Sequence, residues 1–184
     1  MAQFIAFDKN AEVAGHSILS TLSTFPEYYR ADIEQFLKEN NIVNVTPDSW
    51  HSQQSYLNIF KEISTRYGVN SLFNMGVAVG ESVPFPPGTT LEAAYSAWDG
   101  AYRSHHRNGT LLGYIKLHSF DYQAKKAVVE CKNPYPSHFE RGIATSFARK
   151  CKPEDAGYID VQLDTSKPSR LNGADSCFYI ITWL

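Results

Sequence analysis

The segment from Cys131 to Gly142 constrains the fold more than any other part of the chain, because a strand must end inside it and a helix must begin. Pro134 and Pro136 lie one residue apart, and each lacks a backbone N–H and has a fixed φ. Ladder hydrogen bonding therefore cannot continue through them. We expect a stiff corner that holds Asn133 and Tyr135 at the edge of a sheet.

A helix from Ser137 to about Lys150 is predicted to follow the corner. Ser137 and Glu140 have the three-residue spacing of a capping box, in which each side chain bonds to the backbone N–H of the other residue. Apolar residues then recur every four positions, at Phe139, Ile143 and Phe147.

The composition fits an ordinary folded domain. The chain has 184 residues, 43% of them hydrophobic, and a formal net charge of −2 with scattered basic residues. We expect one domain over residues 1–184 that does not bind nucleic acid. Cys131, Cys151 and Cys177 are far apart, which indicates neither a disulfide framework nor a zinc site but a reduced, cytoplasmic environment. Neither a signal peptide nor a membrane span is expected.

Residues 1–109 are predicted to be mainly helical. Capping boxes at Thr24–Glu27 and Thr89–Glu92 each indicate the start of a helix. The second of these helices places Tyr95, Trp98 and Tyr102 on one face, which we expect to be buried. Further helices are predicted at about 15–22, from the 47–49 turn to Gly68, and at about 71–79.

Residues 110–184 change to the period of strands. Segments 112–120 and 126–131 are predicted to form an antiparallel hairpin, and 158–163 alternates apolar with polar residues. Segment 177–183 is apolar on both faces, which is typical of a central strand. The predicted class is therefore α+β, with an N-terminal helical half packed on a four-stranded antiparallel sheet of β-β-α-β-β order. One helix covers little of such a sheet, so we also expect a homodimer.

This order of elements, with its corner and its closing strand Gly-Ala-Asp-Ser-Cys-Phe-Tyr-Ile-Ile-Thr-Trp, resembles the 4-vinyl-reductase-like domain. It is also similar to the wider superfamily of haem nitric-oxide-binding domains and Golgi-transport tethering subunits. Within it the chain resembles a group of bacterial sensor-type proteins, through the motifs Trp50–Gln54, His106–Gly109 and Asn133–Pro136. The resemblance covers residues 90–184 best, and it implies a sensor domain that binds a ligand between the helices and the sheet.

The resemblance to haem nitric-oxide-binding domains makes haem an alternative ligand. That family has a Tyr-x-Ser-x-Arg signature at the strand-to-helix corner, whose donors bind the haem propionates, and a proximal histidine upstream. Tyr135 and Ser137 match this signature, but Phe139 stands in place of the arginine. By this resemblance, Arg141 would lie near the propionates, and His105 or His106 would be the axial ligand. Zinc-binding members of the 4-vinyl-reductase-like group use clustered cysteines, so no metal site is expected here.

Each candidate ligand-binding residue also has an ordinary structural explanation, which the sequence leaves open. Aromatic residues on one helix face are most often core, and a cluster such as His105–Arg107 is typical of a charged helix C-terminus. Cys131 and Cys177 are expected to be small buried hydrophobic residues rather than nucleophiles. The predicted ligand-binding set is Trp50, Gln53, Trp98, Tyr102, His106, Arg107, Asn133, Tyr135 and Arg141.

No catalytic residue is predicted, because the sequence has no GxSxG, HExxH or glycine-rich phosphate loop. The leading hypothesis is a non-catalytic sensory domain that binds a small, largely apolar molecule. It would signal as a homodimer, through a partner protein in trans. The alternatives are a haem-based gas sensor, a protein-interaction module with a filled core and, last, a reductase that acts on a tetrapyrrole precursor.

Overall fold

Six α-helices and two antiparallel sheets make up residues 3–184, the part of the chain that the computed structural model describes. The first half contains β1 (Glu12–Ala14), α1 (Gly15–Leu22), α2 (Arg30–Glu39), β2 (Trp50–Ser52), α3 (Gln53–Tyr67), α4 (Val69–Ser82), α5 (Leu91–Ser104) and β3 (His106–Arg107). The second half contains β4 (Tyr114–Asp121), β5 (Lys126–Lys132), α6 (Ser137–Lys150), β6 (Ile159–Leu163) and β7 (Cys177–Trp183). Short 3-10 helices lie at Glu27–Tyr29 and Arg170–Asn172. The predicted α+β class and the β-β-α-β-β order are confirmed.

The larger sheet has the strand order β4-β5-β7-β6, and every neighbouring pair is antiparallel. β7 lies in its interior, as the apolar sequence of this strand predicted. Its alternate residues Cys177, Tyr179 and Ile181 are fully buried. The first two of them reach the start of α6, where the Tyr179 hydroxyl donates to the Ser137 carbonyl at 2.8 Å. α6 therefore covers one face of this sheet.

A second sheet of three short strands, in the order β2-β1-β3, was not predicted. Its strands are three, three and two residues long, too short to show the alternation that identifies a strand. Glu12 and Arg107 are opposite each other in it, and Arg107 Nε donates to the Glu12 carboxylate at 2.6 Å. The sequence predicted that His105–Arg107 form the end of a helix. Only His105 does so, because the next two residues form β3.

α4 and α6 approach each other with no side chain between them at two positions. A Cβ atom at Gly76 would lie 1.9 Å from the Phe139 carbonyl oxygen, and one at Gly142 would lie 2.2 Å from the Phe73 carbonyl oxygen. Both distances are far shorter than a van der Waals contact. Glycine at these two positions lets the helical half dock closely on the helix that covers the sheet.

The side chains at the start of α6 do not form the predicted capping box. Pro136 precedes the helix and has no side chain that could cap it, and the Ser137 N–H donates to Gln3 Oε1 at 3.2 Å instead. Ser137 Oγ lies 2.9 Å from Cys177 Sγ, while Glu140 is fully buried and contacts Arg170. Both polar groups point into the protein, where they are satisfied by side chains that are distant in sequence.

The other two predicted capping boxes have different outcomes. The one at Thr24–Glu27 is wrong, because α2 begins only at Arg30 and neither it nor the preceding 3-10 helix has a side-chain cap. At the start of α5, Thr90 rather than Thr89 is the cap, and its Oγ1 accepts from the Ala93 N–H at 3.2 Å.

Glu140 and Arg170 form an ion pair in the interior, with exposed side-chain fractions of 2% and 1%. Arg170 Nη1 also donates to the Cys131 carbonyl at 2.5 Å. Asn133 Nδ2 donates to the Glu140 carboxylate, and Asn133 Oδ1 accepts from the Tyr135 N–H at 3.0 Å. The ion pair thus links β5, α6 and the segment before β7, and it fixes the corner that carries Tyr135.

We expect Arg170→Met to lower the free energy of unfolding by about 3–5 kcal/mol, because it leaves the Glu140 carboxylate buried without its counter-charge. The double variant Arg170→Met/Glu140→Gln removes both charges and should recover part of that loss. Urea denaturation followed by circular dichroism measures both values. Equal losses in the single and double variants would show that the two charges do not stabilise each other.

Two glycine-to-alanine substitutions, one at the α4–α6 contact and one outside it, should have opposite effects on the free energy of unfolding. Gly76→Ala should lower the free energy of unfolding by about 1–3 kcal/mol, because the new Cβ collides with backbone. Gly100→Ala, in the middle of α5 with no atom within 4 Å of its Cβ, should raise it by about 0.5–1 kcal/mol. Thermal and urea unfolding of the two variants check this, and a tolerated Gly76→Ala would mean that the helices separate readily.

Candidate ligand-binding cavity

A cavity of about 320 Å³ lies between α1, the end of α4, α5 and α6. Its volume is at the lower end of the range for small-molecule sites. Most of its lining is hydrocarbon or aromatic, and Trp98 and Phe147 pack together there with ring centroids 5.2 Å apart. The apolar lining residues are Val79, Val83, Pro84, Trp98, Ala101, Ile115, Phe139, Ile143 and Phe147.

Polar side chains gather where α1 borders the cavity. His16 is exposed, and its ring stacks on that of His105 with centroids 5.8 Å apart. His105 Nδ1 lies 3.2 Å from Ser17 Oγ, and Ser20 lines the same side. Burial, with a smaller effect of the neighbouring His16, lowers the pKa of His105, so this imidazole is neutral at pH 7. The α1 side can therefore form hydrogen bonds with a polar group on a ligand.

His106 and Tyr135 bond to each other in the wall of the cavity. His106 Nδ1 lies 2.6 Å from the Tyr102 carbonyl oxygen, which can only accept, so this nitrogen carries the proton. Nε2 then accepts from the Tyr135 hydroxyl at 2.7 Å. Burial lowers the pKa of His106 to about 4 and raises the pKa of Tyr135 well above its usual value. Both side chains are neutral, and both are satisfied by protein partners.

The tyrosines of α5 are also satisfied within the protein. The Tyr95 hydroxyl donates to the Ala144 carbonyl at 2.8 Å, and the Tyr102 hydroxyl donates to the Leu112 carbonyl at 2.5 Å. Backbone carbonyls are the acceptors of both hydroxyl groups, so neither hydroxyl proton is available to a ligand.

Gln53 lies behind this wall. Its side chain is fully buried, and its amide makes no hydrogen bond within the described residues. Burial raises the pKa of both Tyr102 and Tyr135, and the neighbouring Gln53 amide opposes that rise. The amide thus sits beside the two hydroxyl groups but does not line the cavity.

The remaining predicted residues lie away from the cavity. The Arg107 guanidinium lies over the Trp50 ring, 4.3 Å from its centroid, on the three-stranded sheet. Asn133 is enclosed in the corner between β5 and α6. Arg141 is on the opposite flank of α6, with its guanidinium 4.9 Å from the centroid of the Phe73 ring. The predicted residues that line the cavity are Trp98, Tyr102, His106 and Tyr135.

The cavity also has lining residues that were not predicted from the sequence. His16 and Ser20 are four residues apart on α1 and therefore share one helix face. That spacing was visible in the sequence, but nothing local to α1 shows that this face meets α5. Val79 and Val83, at the end of α4, were missed for the same reason.

The part of the chain that the structure describes has neither a cluster of metal-binding side chains nor a membrane-spanning helix. Across residues 3–184, no three histidine, cysteine, aspartate or glutamate side chains are grouped so that they could hold a metal ion. Within the same range, no helix has the length and apolar character needed to cross a membrane.

Several solved structures with a similar fold are H-NOX proteins. An H-NOX protein from S. oneidensis in the Fe(II)NO ligation state has a TM-score of 0.68 and 11% identity, covering 93% of this chain and 99% of that one. A mutant H-NOX of T. tengcongensis has a TM-score of 0.65 and 15% identity, covering 92% and 97%. A Cs H-NOX mutant carrying 4-cyano-L-phenylalanine has a TM-score of 0.69 and 14% identity, covering 92% and 96%. No protein-family model and no curated protein matches the chain.

Identities this low show the fold and nothing further. The similarity to haem nitric-oxide-binding domains is thus supported at the level of architecture, whereas that to the 4-vinyl-reductase-like domain stays a prediction. The chain has an H-NOX-like fold over nearly its whole length.

Proposed function

We propose that this chain is a sensory domain that binds a small, largely apolar and uncharged molecule in the cavity between α1, α5 and α6. The observation that carries the proposal is the cavity of about 320 Å³ itself, whose lining comes from both halves of the chain. A ligand that contacts both halves favours one arrangement of them over others, which is what a sensor requires. The proposed role is binding rather than catalysis.

The chemistry of the lining supports an uncharged ligand. In the described chain, no lysine or arginine lines the cavity, and the one lining carboxylate, Glu140, is paired with Arg170. The hydroxyl protons of Tyr102 and Tyr135 are already donated within the protein. A charged ligand would lose its hydration without gaining an opposite charge, which is costly in an apolar cavity.

Haem is a second candidate, and the structural comparisons favour it over an uncharged apolar ligand. The similar structures include an H-NOX protein in the Fe(II)NO ligation state and others solved to study haem distortion and haem redox potential. His105 lines the cavity at the end of α5, and only its Nδ1 is bonded within the described residues. Nε2 of His105 is therefore the nitrogen best placed to serve as an axial ligand.

The propionate side of a haem does not fit this cavity. Phe139 occupies the position of the signature arginine, and the Tyr135 hydroxyl is bonded to His106. Ser137 contacts β7 in the core, and Arg141 lies on the far flank of α6. No side chain in the described lining would neutralise two carboxylates. For this reason we place the uncharged ligand first.

The remaining interpretations from the sequence stand as follows. A protein-interaction module with a filled core is less well supported, because the interior holds a cavity of about 320 Å³. The homodimer and the signalling partner in trans stay predictions, and so does the cytoplasmic location.

We expect the protein purified from cells supplied with a haem precursor to be colourless. An absorption spectrum of the wild type beside His105→Ala and His106→Ala measures this. A Soret band that is lost in His105→Ala and kept in His106→Ala would replace our first candidate with haem. It would also identify Nε2 of His105 as the axial ligand.

Filling the cavity should prevent binding of an apolar probe. We expect the uncharged fluorescent dye N-phenyl-1-naphthylamine to bind the wild type and to bind Ala101→Trp at least about tenfold more weakly, which is ~1.4 kcal/mol. Ala97→Trp is the matched control, because this alanine is exposed on the same helix and does not line the cavity. Equal titration curves for both variants would place apolar binding elsewhere, provided that both unfold as cooperatively as the wild type.

A further inference from the structure

β6 is an edge strand with a free side. In the order β4-β5-β7-β6 it pairs only with β7, and its five residues form a regular strand without a bulge. A strand of this kind exposes a row of backbone N–H and C=O groups that can pair with another chain.

The outward-pointing groups follow from the register of the pair. Just before β6, Tyr158 exchanges both backbone hydrogen bonds with Leu184, and just after it the Asp164 N–H donates to the Phe178 carbonyl at 2.8 Å. In an antiparallel pair, inward and outward residues alternate, so the residues with even numbers face β7. The backbone groups of Ile159, Val161 and Leu163 therefore point away from the sheet. None of the described residues forms a hydrogen bond with them.

The opposite edge of the same sheet is protected. β4 has an irregularity between Leu117 and Ser119, which interrupts regular pairing. Side chains of α5 also bond to the backbone at its start: the Asp99 carboxylate accepts from the Ile115 N–H at 2.8 Å, and Arg103 donates to the Gly113 carbonyl at 2.9 Å. No such device protects β6 in the described structure.

A groove of about 810 Å³ runs along the free side of β6, with α6 as its other wall. The α6 wall and the turn after it present Arg141, Thr145, Arg149 and Lys152. Among the described residues, none of these three cations has a carboxylate within ion-pairing distance. The one lining carboxylate, Asp160, already accepts from Gln162 at 2.6 Å. The groove is thus a backbone edge beside a row of unpaired positive charges.

We propose that this groove binds an extended acidic segment of a partner protein, which adds to the sheet as a fifth strand beside β6. Backbone hydrogen bonds to Ile159, Val161 and Leu163 would supply affinity, and carboxylates on the face toward α6 would supply specificity. The distance between the cations on α6 matches the distance between carboxylates on one face of an added strand. Arg141 and Arg149 are eight residues apart on a helix, about 12 Å at 1.5 Å per residue. Side chains four residues apart on a strand are separated by about 13 Å.

A second copy of this chain suits the groove less well than an acidic segment. Two copies paired through β6 would bring Arg141, Arg149 and Lys152 of each toward those of the other, and like charges at such a distance repel. Charge complementarity therefore selects the acidic partner.

Peptide selection tests the proposal on the whole chain. Random peptides displayed on phage are selected against the purified protein, and the best one is synthesised and measured by fluorescence anisotropy. We expect carboxylates at alternating positions in the recovered peptides. Arg149→Glu should weaken binding at least about tenfold, whereas Lys38→Glu, the same charge change on an exposed residue of α2, should change it less than about twofold.

N-methylation of the peptide separates strand addition from simple charge attraction. Only every second N–H of an added strand points toward β6. Methylating these amides should abolish binding, whereas methylating the alternate set should be tolerated. Recovery of no acidic peptide, equal weakening by Arg149→Glu and Lys38→Glu, or equal effects of the two methylation sets would each overturn the proposal. So would a homodimer in light scattering that Ile159→Pro dissociates, because the groove would then hold a second copy.

Discussion

The buried pair of Glu140 and Arg170 is the interaction on which the rest of the structure depends. Each charge is almost completely removed from water, so neither is stable there without the other and without the hydrogen bonds from Asn133 and to the Cys131 carbonyl. Those bonds tie the end of β5, the first turn of α6 and the approach to β7 to one point. Because Tyr135 lies between the tied positions, its hydroxyl is held against His106, and the wall of the cavity has one defined shape.

The elements that the sequence predicted well are those with a strong signal of their own. The apolar period of α6 reflects contacts that repeat along the helix, the continuous apolar run of β7 is typical of a strand inside a sheet, and the double-proline corner follows from the fixed geometry of proline. The three-stranded sheet was missed, since strands of two or three residues have no period to detect. The capping box at Ser137 failed for a different reason. Its glutamate has a buried partner 30 residues away, which local spacing cannot indicate.

The same distinction applies to the candidate site. Trp98 and Tyr102 line the cavity because helical spacing on α5 put them on one inward face, and Tyr135 does so because the corner is rigid. Trp50 and Arg107 were chosen as pocket residues, yet they pack on each other on the three-stranded sheet. Their residue types suit a pocket, but their location depends on strand pairing that the sequence did not show. The α1 residues of the cavity wall could not be predicted either, because nothing local to α1 shows that this face meets α5.

The hydrogen bonds that satisfy the cavity wall also determine how the cavity would choose among ligands. Because the Tyr102 and Tyr135 hydroxyl protons are already donated inside the protein, the part of a ligand that lies away from the α1 side is recognised by its size and shape alone. Selection of that kind is weak, since one methylene more or less in an apolar site changes binding by only about 1–3 kcal/mol. A sensor built in this way would respond to a chemical series of similar molecules rather than to one compound. Its selectivity would then come from which member of the series is abundant in the cell.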